Sequence, residues 1–173
     1  PRRINLGELG PGRGTLMRDA LRAAAKVPGF INALDVHLVE SNERLIRMQR
    51  KTLETVSNTL RWHGSLQSVA KGPVLLIANE FLDTAAVEQS VDGAERRVTL
   101  DGRDRLVFAP ASGVFKESQN HLAMTMELAS RASDAPLAAL FIDYGHFETA
   151  AGETLQALRG HAAEHPLCSP GEA

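Results

Sequence analysis

Gly10, Gly12 and Gly14 alternate with other residues in the segment Glu8-Leu9-Gly10-Pro11-Gly12-Arg13-Gly14-Thr15, directly after a short apolar run. Glycines at such a junction let the backbone turn sharply and come close to a ligand, with free N–H groups at the start of the next helix. Three ligand classes compete for this turn. A phosphate-binding loop ends in Gly-Lys-Ser/Thr, whereas Gly14-Thr15 comes without a lysine. A dinucleotide fingerprint needs a third glycine three residues after the second, where Thr15 stands. Glu8 disfavours both, because a carboxylate beside a pyrophosphate is repulsive, but it suits a cationic, methionine-like group. Glu40 closes a second apolar run, where a carboxylate can accept two hydrogen bonds from ribose hydroxyls. Dinucleotide enzymes place an acid there for the same reason, so Glu40 alone indicates only a ribose. The plain alternative is a tight turn followed by a solvated strand end.

A second group of chemical residues, Asn79, Glu80 and Asp83, follows the apolar run Pro73 to Ala78. Carboxylates so placed can pair bidentately with a planar cation such as a guanidinium. Two readings of Glu80 stay open: it holds an acceptor cation, or it caps the next helix or binds a ligand amino group. Asp143-Tyr144-Gly145-His146 ends a further strand, where His146 can act as a base, contact a substrate or simply support the fold. His161-Ala162-Ala163-Glu164-His165 matches a zinc-peptidase pattern, but that chemistry needs a helix, and Gly160 and Pro166 flank the segment. No metal site is expected.

These residues require a scaffold of alternating strands and helices. The patterns predict strands over Ile4 to Leu9, Asp35 to Glu40, Thr59 to His63, Gly72 to Ala78 and Leu137 to Asp143. Helices are predicted over about 15–25, 42–55 and 118–133. The first helix carries Leu16, Met17, Ala20, Leu21 and Ala24 on one face, and the fourth strand reads as buried on both faces. From about 87 to 109 the pattern changes to an accessory β-meander, with Asp92-Gly93 and Asp101-Gly102 as hairpin turns. The fold class is therefore α/β, with a mostly parallel, Rossmann-like sheet. Every polar cluster above falls at a carboxyl strand end, where such sheets bind ligands.

At this level the sequence resembles the MidA-type methyltransferases. Glu8 to Met17 matches their first motif. Ala78-Asn79-Glu80-Phe81, Asp143-Tyr144-Gly145-His146, Gly152 to Ala157, Trp62-His63 and Pro170 to Ala173 match in the same order. The resemblance implies a class I methyltransferase fold with S-adenosylmethionine as cofactor. Its expected binding set is Glu8, Gly10, Gly12, Gly14, Glu40, Trp62, His63 and Asn79, with Glu80, Asp83 and His146 as catalytic residues. It also implies a protein substrate offering an arginine side chain, and it admits a homodimer. The mitochondrial branch of the family methylates arginine in a respiratory complex I subunit during assembly. A non-catalytic, cofactor-binding assembly factor is the alternative. The loop Leu82-Asp83-Thr84-Ala85-Ala86 departs from the family pattern, which carries an aromatic and a proline there.

Composition agrees with a single soluble domain spanning residues 1–173. Net charge is −2 and the pI near 6.3, which gives no support to a nucleic-acid-binding surface. No apolar run reaches membrane-spanning length. Cys168 is the one cysteine, so a reducing compartment is expected, either bacterial cytoplasm or mitochondrial matrix. The absence of an initiator Met and of the family's flanking segments predicts a core incomplete at both ends.

Overall fold

The computed structural model describes residues 3–56, 59–119, 121–145, 155 and 157–170. In chain order these contain β1 (Ile4–Leu9), α1 (Thr15–Ala24), α2 (Phe30–Ala33), β2 (Leu34–Val39), α3 (Glu43–Thr52), β3 (Leu60–His63) and β4 (Val74–Asn79). Then follow β5 (Val87–Val91), β6 (Ala94–Glu95), β7 (Arg97–Leu100), β8 (Leu106–Ala109) and β9 (Phe115–Gln119). The last elements are α4 (Leu122–Asp134), β10 (Leu137–Ile142), β11 (Ala157–Arg159) and β12 (Ala162–Glu164).

Five of the strands form one parallel sheet in the order β10-β4-β1-β2-β3. This is the expected Rossmann-like arrangement. β1 is central, so the chain leaving it turns at the point where strand order reverses, the place where open α/β sheets bind ligands. Register brings the strand ends level: Leu9 pairs with Val39 and Ala78, Val39 with His63, and Asn79 with Ile142.

Apolar packing on both sheet faces holds this edge in place. Leu6, Leu34, Val36 and Leu38 pack with Met17 and Leu21 of α1 and with Leu53. On the other face Leu9, Val39, Val74, Leu76 and Ala78 pack with Leu66 and Val69. α1 buries Met17, Leu21 and Ala24, the spacing that its sequence pattern predicts. α3 starts where the Asn42 side chain accepts hydrogen bonds from the N–H groups of Arg44 and Leu45, with Arg50 and Lys51 in its last turn.

Two expectations change. β4 buries Val74, Leu76 and Ala78 but leaves Leu75 and Ile77 half-buried against the first cluster, so its second face is only partly covered. The helix expected from about 118 begins at Leu122 instead, because Phe115–Gln119 pairs along its length with β5. Backbone pairing in an antiparallel ladder has overridden local helix preference there.

The described residues fall into two compact units, those within 1–84 and 121–144 and those within 85–120 and 145–173. The second unit is antiparallel: β6-β5-β9, β7-β8 and β11-β12. Its expected Asp92-Gly93 turn has both residues in the left-handed region, as a tight hairpin requires. His161 to His165 lies on the turn and second strand of the β11–β12 hairpin, not on a helix. Among the described residues no group of His, Cys, Asp and Glu is placed to hold a metal ion, and no helix is long and apolar enough to cross a membrane.

Candidate functional site

The glycine turn links β1 to α1 with Gly10, Gly12 and Gly14 at φ 60°, 52° and 79°. A Cβ on Gly10 would lie 2.8 Å from the Phe81 ring, so glycine is needed for the loop after β4 to pack on the turn. At Gly12 a Cβ would meet nothing within 4 Å, which marks open space beside the backbone. The open space at Gly12 is what close approach of a ligand requires.

Glu40 stands directly after β2, its N–H donating to the His63 carbonyl at 2.8 Å. Its Oε1 accepts the Asn42 N–H at 2.8 Å, and its Oε2 accepts from Gln49 Nε2 at 3.3 Å. Gln49 Nε2 also donates to the Gly12 carbonyl at 2.9 Å, while Gln49 Oε1 accepts the Trp62 indole N–H at 2.9 Å. The Arg50 guanidinium lies 4.2 Å from the centre of the Trp62 ring, a cation–π contact on the ring face.

A cavity of about 650 Å³ opens along the strand ends, lined by Gly10, Gly12, Glu40, Ser65, Leu66, Phe81, Thr84 and Met124 among others. That volume suits a nucleoside-sized ligand. Gly64 to Gln67, which forms one wall, is tied down by Arg131. This buried guanidinium donates to the carbonyls of Leu66, Val69 and Ala70 and pairs with Glu127 at 2.7 Å.

Glu8, Gly14, Trp62, His63 and Asn79 do not form part of the cavity wall. Gly14 is the left-handed residue that starts α1, and Asn79 ends β4 half-buried. Trp62 and His63 lie behind the wall. His63 Nε2 meets His37 Nδ1 at 2.9 Å, and His37 Nε2 meets Asn5 Oδ1 at 3.0 Å. Burial pushes the His37 imidazole down to about 4, with the neighbouring His63 adding to the effect. Glu8 is 3% exposed and one of its carboxylate oxygens has no hydrogen-bond partner. Burial pushes it up to about 7, against the opposing hydrogen bond from the Met17 backbone.

Toward β10 the structure brings Glu80, Asp143 and Tyr144 together. Glu80 adopts φ 48° and donates its N–H to the Ile142 carbonyl at 2.8 Å, which projects the residue from the end of β4. Its exposed carboxylate accepts the Tyr144 hydroxyl at 3.2 Å, and this contact raises the phenol above its ordinary range. Asp143 accepts the Leu82 N–H at 2.8 Å and so fixes the turn that carries Asp83. Asp83 is exposed within a short 3₁₀ turn. His146 lies outside the described residues.

Sequence reasoning missed Gln49 and Arg131. Gln49 sits among the charged neighbours Arg47, Arg50 and Lys51, which read as a solvated face, and Arg131 follows small and apolar residues as an ordinary surface charge would. The signal for Gln49 was available only in combination, as an amide four residues after Leu45 on the helix that follows the ribose acid.

A family model described as "Putative S-adenosyl-L-methionine-dependent methyltransferase" matches residues 1–138. The protein arginine methyltransferase NDUFAF7, mitochondrial, of Danio rerio is 29% identical over 213 aligned positions, covering 98% of this chain and 50% of that protein. Its Drosophila melanogaster homolog is 31% identical over 219 positions, covering all of this chain and 50% of that protein. The chain thus spans about half the length of the curated relatives it matches. A native crystal structure of a Burkholderia thailandensis protein superposes with TM-score 0.78 at 25% identity, over 98% of this chain and 53% of that one. A second, bound to S-adenosyl-homocysteine, gives TM-score 0.75 at 24% identity, over 98% and 51%.

Proposed function

The chain belongs to this family of S-adenosyl-L-methionine-dependent methyltransferases, and from that premise we propose that it binds S-adenosylmethionine at the glycine turn and serves methyl transfer to an arginine side chain of a protein. One observation carries the reading. At the switch point of the sheet, the open space at Gly12 and the Glu40 carboxylate line the same nucleoside-sized cavity. The residues present fit the cofactor. Gly12 offers close backbone approach, and Glu40 offers lone pairs to a ribose diol. The bound cofactor would supply an electrophilic methyl group on a sulfonium.

The acceptor belongs beside Glu80. Its carboxylate, steadied by Tyr144, is of the right chemistry to pair with a guanidinium and orient it. Asp83 would add a second negative charge. Direct displacement at carbon needs in-line approach at close range, so orientation supplies most of the rate. The relatives carry the name protein arginine methyltransferase, which supports arginine as the acceptor, and mitochondrial, which supports a mitochondrial location. The same proposal extends to respiratory complex assembly, and loss of the protein should then lower the assembled complex in the source cell.

The test is calorimetric titration of S-adenosylmethionine and S-adenosylhomocysteine into the intact protein, paired with transfer of labelled methyl groups into an enzyme-depleted lysate. Micromolar binding and labelled arginine are expected. Equal or tighter binding of NAD overturns the cofactor assignment. Cofactor binding without labelling of any protein favours a non-catalytic assembly factor.

A further inference from the structure

We propose that Gln49 is a positioning residue that sets Glu40 for recognition of the cofactor ribose and holds the glycine turn in its binding shape. The inference rests on the cofactor reading above and assigns a role to a residue outside the expected site.

Gln49 is fully buried, the one fully buried side chain of α3. An amide is an expensive choice for a position whose task is only packing, because leucine or methionine would fill it without desolvating polar atoms. Here every amide hydrogen has a partner. The Trp62 indole is a donor only, so the atom it meets must be the amide oxygen. That fixes the amide's orientation and turns its NH₂ toward the Gly12 carbonyl and Glu40 Oε2. Two parts of the cavity lining, the glycine turn and the residue that follows β2, are thereby joined through one side chain.

Each contact has a consequence for binding. With Asn42 on Oε1 and Gln49 on Oε2, the Glu40 carboxylate is held at both oxygens. Each oxygen keeps lone-pair capacity for one hydroxyl of a vicinal diol. At the turn, the Gly12 carbonyl is held toward α3, and in a planar trans peptide the following Arg13 N–H must point the opposite way. Gly14 packs on the same residue, since a Cβ there would lie 3.4 Å from Gln49 Cγ. A shape-only role would leave ligand selectivity untouched. A positioning role makes the preference for ribose depend on Gln49.

The experiment titrates the intact protein with S-adenosylhomocysteine and with its 2′-deoxyribose analogue. Wild type is expected to prefer the ribose ligand by at least about tenfold, the size of a hydrogen bond to a charged group. In Gln49→Met that preference should fall to within about twofold, with roughly tenfold weaker binding of S-adenosylhomocysteine. Gln49→Glu should bind still more weakly, because a second carboxylate faces Glu40. Trp62→Phe frees the amide to rotate and should remove part of the preference. If Gln49→Met does not fold, the Trp62→Phe ratio decides. A ratio unchanged from wild type in the variant that folds, or no preference in wild type, overturns the role of Gln49 while leaving the cofactor reading intact. Failure of wild type to bind either ligand overturns the cofactor reading itself.

Discussion

On the β1–β2–β3 side of the sheet edge, the polar groups interlock. Glu40, Trp62 and Gly12, each half-buried, form one hydrogen-bonded chain through the buried Gln49. On the β4–β10 side, Glu80, Asp83 and Tyr144 are exposed, and among the described residues the Glu80 carboxylate accepts the Tyr144 hydroxyl at 3.2 Å. The difference matches the two tasks proposed for them. A cofactor has one shape, so its groups gain from being fixed before it arrives. An arginine on a protein arrives with its surroundings, so its receiving carboxylates must remain reachable. On the proposed assignment, a completed hydrogen-bond chain goes with the constant ligand, and exposure goes with the variable one.

The strongest test of this contrast is Gly12→Val. A branched side chain enters the open space beside the turn, and the residue must also hold φ 52°. Binding of S-adenosylhomocysteine should fall by at least about a hundredfold by calorimetry, the order expected when a clash is added to backbone strain. Retained affinity would show that the cavity ligand does not approach the turn.

Glu8 tests the cofactor side through stability. Its folded value near 7 lies above its ordinary 4.5, so the folded state holds the proton more tightly. Ionisation of Glu8 then opposes folding progressively as pH rises from about 4.5 to 7, and fully above that range. Glu8→Gln, which keeps the shape and can still accept from Met17, should stabilise the ligand-free protein by on the order of 3 kcal/mol at pH 8. The gain should vanish near pH 4.5. Equal melting temperatures of the two proteins at pH 8 would contradict the buried, incompletely paired carboxyl. His37 works in the opposite sense. Its folded value near 4 lies below 6.5, so its contribution is lost as pH falls through that interval.

Glu40→Ala removes the diol acceptor and leaves Gln49 with an unmet hydrogen. Cofactor binding should weaken by about 1.5–3 kcal/mol, the range for hydrogen bonds to a charged group. A neutral result in titration would remove Glu40 from the site.

The acceptor side should leave cofactor affinity unchanged. Glu80→Gln keeps the side chain's shape while discarding the charge that pairs with a guanidinium. Methyl transfer to protein arginine should be lost in the labelling assay while calorimetric cofactor affinity stays at the wild-type value. Asp83→Asn should show the same split more weakly, since it sits one turn away on an exposed segment. Loss of cofactor binding in Glu80→Gln would merge the two regions and end the contrast.

Much of this molecule was readable along the chain. Alternating apolar runs and glycine punctuation determined the strand and helix succession of the first unit, because those signals are local and period-specific. The glycine spacing, Glu8 and Glu40 indicated the cofactor class by the charge and shape each ligand requires. Tertiary structure decided the rest. Phe115–Gln119 is a strand because β5 offers it a partner some thirty residues away, and His161 to His165 lies on a hairpin because β11 pairs with β12. Gln49 reads as one polar residue among several on a charged helix. Its part in the site exists only because α3 docks that one side chain against Gly12, Glu40 and Trp62, three residues brought together by the sheet and by no spacing in the sequence. Local physics chose the elements, and long-range pairing chose which of their side chains meet.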